Sequence, residues 1–164
     1  MRTFTARLRG SSEVPPVRTN ASGSFLARLS PDGRRLNFVL VIRNIRNANV
    51  AHIHLGRRGV NGPIVAFLFG RLRNPISVRR RVFRGTITQN DLVGPLRGRA
   101  LQSLVREMLR GNAYVNVHTT QNPNGEIRGQ IIPSRRLPVR KPIRKPIRKL
   151  AGKLVRKPIR KPQE

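Results

Sequence analysis

Three histidines are all this chain contains, and they fall in two short alternating segments. One is Ala51-His52-Ile53-His54-Leu55-Gly56, the other Tyr114-Val115-Asn116-Val117-His118-Thr119. Side chains on a strand alternate between faces. Ala51, Ile53, Leu55, Val115 and Val117 are therefore expected in a core, with His52, His54, Tyr114, Asn116 and His118 on the opposite face. Three neutral imidazoles on one face could hold copper or zinc with an open fourth position. The same residues, with Glu126 and Arg128, could instead form a hydrogen-bonded polar ladder under a loop. Glu126 could also orient one imidazole from behind.

Other chemistry is poorly represented. There is no cysteine, which excludes disulfides, thiolate nucleophiles and thiolate-bound zinc or iron-sulfur centres. No Gly-x-Ser-x-Gly elbow occurs, and the carboxylates are few and scattered. Asp91 before Leu92, and Glu13 before the Pro15-Pro16 pair, read as turn or cap residues. The segment Gly56-Arg57-Arg58-Gly59-Val60-Asn61-Gly62 has two readings. Its amides and arginines could grip an anion, or its glycines could serve a loop with positive φ.

Eight segments alternate at strand spacing between Gly, Pro, Asn and Asp punctuation: 2–9, 23–29, 35–43, 49–55, 63–69, 81–88, 113–119 and 126–132. Leu36, Phe38, Leu40 and Ile42 should face the core, after a turn at Pro31-Asp32-Gly33. One helix is expected over about 98–110. Leu101, Leu104, Val105, Met108 and Leu109 there follow the spacing of a buried stripe, and Gly111 can end it. The pattern predicts an all-β sandwich or barrel with one crossover helix.

The 164 residues carry 35 Lys+Arg against 6 Asp+Glu, a net charge of +29. Such a chain repels itself unless a polyanion neutralises it. Through Pro133 every basic residue is arginine, and all six lysines (141, 145, 149, 153, 157 and 161) lie beyond Ser134, four apart. The change in composition divides the chain into a β domain, 1–133, and a basic tail, 134–164. From 139 to 162 the tail runs as VRKP-IRKP-IRKL-AGKL-VRKP-IRKP. Its prolines disfavour helix, and it offers too little apolar surface to offset ordering entropy. The tail is expected to be disordered until bound, with only Ile147 to Lys157 able to form a short basic amphipathic helix on a lipid surface.

Arginine binds phosphate and carboxylate through a bidentate fork. Arg57, Arg58, Arg71, Arg73, Arg79, Arg80, Arg81 and Arg84 fall in the stretch following the His-x-His strand. Arg57, Arg58 and Arg79, Arg80 and Arg81 are expected to form a folded contact patch. Arg140, Lys141, Arg144 and Lys145 through Arg160 and Lys161 extend it as a multivalent arm. The partner is a polyanion: a nucleic-acid backbone, an anionic wall polymer, an acidic protein or an anionic lipid surface. With six Phe, one Tyr and no Trp, base stacking is scarce and sequence-specific recognition is not expected. No signal-peptide pattern and no apolar run of membrane-spanning length are seen. The compartment stays open between cytoplasm and a spore or cell-surface layer.

The order of motifs resembles the CHRD domain, the module named after chordin. The resemblance rests on Leu8-Arg9-Gly10, Glu13-Val14-Pro15-Pro16-Val17, Ala21-Ser22-Gly23, the segment 51–56, Gly59, Asn61-Gly62-Pro63, Asp91-Leu92 and Gly94-Pro95-Leu96. It continues through the segment 114–119, Asn122-Pro123 and Gly125-Glu126-Ile127-Arg128-Gly129-Gln130-Ile131. It covers roughly residues 3–132 and excludes the tail. The resemblance implies an immunoglobulin-like β-barrel related to copper-zinc superoxide dismutase, as a stand-alone domain of bacterial type. It also implies a binding module, since in chordin these domains accompany growth-factor-binding modules. The dismutase likeness implies that His52, His54 and His118 correspond to copper-binding histidines and Arg128 to an anion-guiding arginine. Bridging and zinc-binding histidines have no counterpart, so a dinuclear site is excluded. Two functions follow as expectations. The first is a non-enzymatic binding or structural module without a cofactor; the other is a mononuclear copper redox protein using the three histidines.

Overall fold

The computed structural model describes residues 2–70 and 72–134. Eight strands and one helix build it: β1 (Thr3–Arg9), β2 (Ser22–Leu29), β3 (Leu36–Leu55), β4 (Ile64–Phe69), β5 (Ile76–Ile87), α1 (Leu101–Leu109), β6 (Ala113–Thr119), β7 (Ile127–Gln130) and β8 (Ile132–Pro133). The strands run in the order β2-β1-β7-β6-β3-β4. β2 also pairs with β3, so five of them close into a barrel. Closure removes the free edges of these five, while β4 and β5 flank them, each paired only with β3.

β3 decides the architecture. The two strands expected at 35–43 and 49–55 are one 20-residue strand. Its first half lies between β2 and β5, its second between β6 and β4. The break expected between those two segments, at 44–48, is instead a bulge. Register shifts between Ile45 and Ala48, and Asn44 and Asn47 both adopt φ 50°. Asparagine tolerates that left-handed conformation better than most residues, so the strand bends without ending.

The barrel interior follows the alternation. Leu36, Phe38, Leu40 and Ile42 are buried, as are Ala51, Ile53, Val115, Val117 and Ile127. Pro31 and Asp32 form the turn before β3, with Gly33 at φ 71°. The helix buries Leu101, Leu104, Val105 and Met108, and Gly111 follows its end at φ 67°. Leu109, expected in the same stripe, is exposed. Among the described residues no helix is long and apolar enough to cross a membrane. Arg71 and the basic tail, including Arg140, Lys141, Arg144, Lys145, Arg160 and Lys161, lie outside the described residues.

Candidate functional site

The outward face of β4, β3, β6 and β7 carries the polar residues. His52 is paired with Phe67 on one side and Asn116 on the other, and Asn116 with Arg128. One step along, His54 faces Tyr114 and Tyr114 faces Gln130; one step back, His118 faces Val50. The expected common face for the three histidines is thus formed. It is not a solvent face, however. Every residue of β6 is buried, and His52, His54 and His118 are at most 8% exposed. The covering comes from the loops 56–63 and 120–125.

The three imidazoles converge. Their ring centroids are 4.9 to 6.1 Å apart, and one ligand nitrogen from each lies within 4.8 Å of the other two. His54 Nδ1 is 2.9 Å from the Gly62 carbonyl oxygen, and His118 Nδ1 is 2.8 Å from that of Pro123. A carbonyl only accepts, so both Nδ1 atoms carry the proton and both Nε2 atoms present lone pairs. His118 Nε2 is 3.0 Å from His52 Nδ1. His54 Nε2 is buried and has no hydrogen-bond partner. Burial pushes the imidazoles of His54 and His118 below the ordinary histidine range, against the smaller opposing effect of the carbonyl bonds. Both are therefore neutral at pH 7. The edge of Phe67, its ring centroid 4.7 Å away, covers His52, and Tyr114 stacks on His54 at 4.9 Å.

Arg128 organises the roof. It is 1% exposed, and its guanidinium carbon lies 3.4 Å from the Tyr114 ring centroid. Its nitrogens donate to Asn61 Oδ1 at 2.9 Å and to the carbonyls of Arg57 at 3.1 Å and Val60 at 2.7 Å. Burial lowers its pKa, with the Tyr114 hydroxyl and Glu13 opposing. A guanidinium so enclosed cannot steer an incoming anion, which corrects the role implied by the dismutase likeness. The glycine-rich loop has the backbone of its second reading. Gly56 and Gly59 do have positive φ, 153° and 80°, but the loop turns its carbonyls inward onto a cation. An anion cradle would need the amides there.

The two buried carboxylates sit apart from the imidazoles. Glu126 accepts from the hydroxyls of Thr19 and Thr119 and from the Asn122 amide. Backbone carbonyls, of Gly62 and Pro123, orient His54 and His118. The single polar ladder imagined from the sequence is therefore divided into separate clusters. Glu13 does close a turn, as expected, following the 3-10 segment Gly10–Ser12. Its carboxylate is nonetheless 5% exposed and accepts from Asn116 Nδ2 at 3.2 and 3.0 Å. Burial, and to a lesser extent Glu126, push its pKa up to about 7, against the pull of Arg128 and Asn116. Sequence reasoning missed this site, because Glu13 and Asn116 are 103 residues apart and carry no shared local pattern. Asp91 does cap its turn, bonded to the amide and hydroxyl of Thr88 at 2.8 Å each.

The expected basic patch is distributed over different elements. Arg57 and Arg58 are exposed in the loop after β3. Arg58 lines a groove with Arg7 and Arg9. Arg79, Arg80 and Arg81 are exposed on β5, where Arg80 is the direct cross-strand partner of Arg43. Arg79 and Arg46 line an open cleft with Asn20, Asn44, Ser77 and Gln121.

Residues 4–131 match the family described as CHRD domain. Chordin of Danio rerio is 28% identical over 124 residues, an alignment covering 76% of this chain and 12% of that protein. The chain therefore spans a small part of that relative. With the match running from β1 to the residue after β7, through both histidine strands and the covering loops, the chain belongs to the CHRD domain family.

Proposed function

We propose that this protein is a non-enzymatic binding module that engages a polyanion through its arginine faces, with the basic tail as a second, multivalent contact. Membership of the CHRD family supports a module rather than an enzyme. The observation that carries the polyanion reading is the disposition of the acids. Each of the five described carboxylates is already engaged: Glu13 and Glu126 in the interior, Asp91 on Thr88, Asp32 beside Arg35 and Glu107 beside Arg110.

Among the described residues, Arg43, Arg46 and Arg79–Arg81 consequently have no carboxylate partner. Like charges directly opposite on paired strands destabilise a sheet, and Arg43 with Arg80 is such a pair. An external chain of anionic oxygens would relieve that repulsion. The cleft beside Arg46 and Arg79 adds amide and hydroxyl groups suited to the same oxygens, and Glu126, which also lines it, is already bonded to Thr19, Thr119 and Asn122. The tail supplies 13 further basic residues at regular spacing.

Heparin and duplex DNA columns test the reading. Arg79→Gln/Arg80→Gln/Arg81→Gln should elute at lower salt, with the slope of log K against log salt on DNA reduced by up to about 3. Removal of residues 134–164 should weaken retention further and flatten the salt dependence. Retention unchanged by either alteration rejects the proposal.

A further inference from the structure

Outside the arginine faces, the buried histidine cluster is unexplained by polyanion binding. A polar ladder accounts for bonded nitrogens: two Nδ1 atoms are bonded to carbonyls, and His52 Nδ1 lies 3.0 Å from His118 Nε2. It does not account for His54 Nε2, which is enclosed with its lone pair facing no donor. A buried polar atom left unpaired is destabilising. Nor does a ladder require all three imidazoles of the chain to bring ligand atoms within 4.8 Å of one another.

We infer that His52, His54 and His118 form a mononuclear copper site, His54 and His118 binding through Nε2. Their Nδ1–H groups are held by Gly62 and Pro123, an arrangement that fixes the tautomer and aims the opposite nitrogen. Metal–nitrogen bonds of about 2.0 Å place ligand nitrogens about 3.3–3.6 Å apart around a three- or four-coordinate ion. The distances here straddle that spacing, from 3.0 Å between His52 and His118 to the 4.8 Å limit. Metal binding through His118 Nε2 replaces its hydrogen bond from His52 Nδ1, because one lone pair cannot serve both. The donor set is three imidazole nitrogens, since Glu13 and Glu126 are engaged elsewhere and cysteine is absent. That set disfavours calcium and magnesium, and affinity along the divalent series peaks at copper.

Titration of the EDTA-treated full-length protein with copper(II), followed by electron paramagnetic resonance, tests the assignment. One equivalent should bind with coupling to three nitrogens and raise the thermal midpoint. His54→Gln and His118→Gln should each weaken binding at least about 10-fold. Circular dichroism checks that the variants fold. Should a variant unfold, the wild-type spectrum decides alone: coupling to fewer than three imidazole nitrogens overturns the three-histidine site. Binding that both folded variants retain in full also overturns it, by placing the ion elsewhere. Equimolar zinc(II) should leave the copper signal in place; displacement by zinc overturns the choice of metal.

Discussion

Glu13→Gln isolates the cost of one buried carboxylate. In the folded protein Glu13 titrates at about 7 rather than 4.5, chiefly because it is buried. Its folded-state pKa is raised, so its full contribution to stability is present below the unfolded value. That contribution is lost as pH rises toward the folded value. A shift of this size corresponds to about 3 kcal/mol lost between pH 4.5 and 7.

Asn116 supplies a structural reason for the preference. Its Oδ1 is buried without a partner, and turning the amide over would present that oxygen to a protonated carboxyl. Glutamine offers the same shape and a donor at every pH. Urea unfolding of the metal-free protein, from pH 4.5 to 8.5, should show the variant gaining on the wild type by about 3 kcal/mol across the range. His54 and His118, with lowered pKa, lose stability as pH falls below 6.5. That loss is common to both proteins and cancels in the difference. Parallel stability curves for the two proteins would mean that Glu13 ionises normally, and the account of its burial would be wrong.

Arg128→Lys keeps a charge but loses the fork that holds the carbonyls of Arg57 and Val60. It should destabilise the domain by about 3 kcal/mol and accelerate amide exchange across residues 56–63, read by mass spectrometry. Gly125→Ala places a methyl 2.7 Å from Glu13 Oε1, at a residue with φ 134°. The thermal midpoint should fall by several degrees, about 1–3 kcal/mol. Ile53→Ala empties a fully buried position on the barrel side of the His-x-His strand. It should cost about 2–5 kcal/mol in urea unfolding. Tyr114→Phe removes the hydroxyl that accepts from the Gly62 amide at 3.2 Å, a loss of about 1 kcal/mol by the same measurement.

Local alternation placed most strands, and a helical stripe placed α1, because both patterns repeat within a few residues. The same alternation set His52, His54 and His118 on one face, since a period of two leaves no choice once the strands pair in register. The composition alone established that arginine exceeds any acid available to neutralise it. The fusion of two expected strands into β3 was not legible, because whether Asn44–Ala48 turns or bulges depends on what β5 and β6 pair with on either side.

Burial of the histidine face was also a tertiary decision. It required the loops at 56–63 and 120–125 to return over the sheet, and it required Arg128 to be consumed internally by carbonyls 67 to 71 residues away. The same holds for Glu13, whose raised pKa comes from being packed against Asn116 and sealed from water. Periodicity tells which side of a strand a group occupies. Only the path of the distant chain decides whether that side meets solvent, and with it the charge, tautomer and ligand capacity of the groups there.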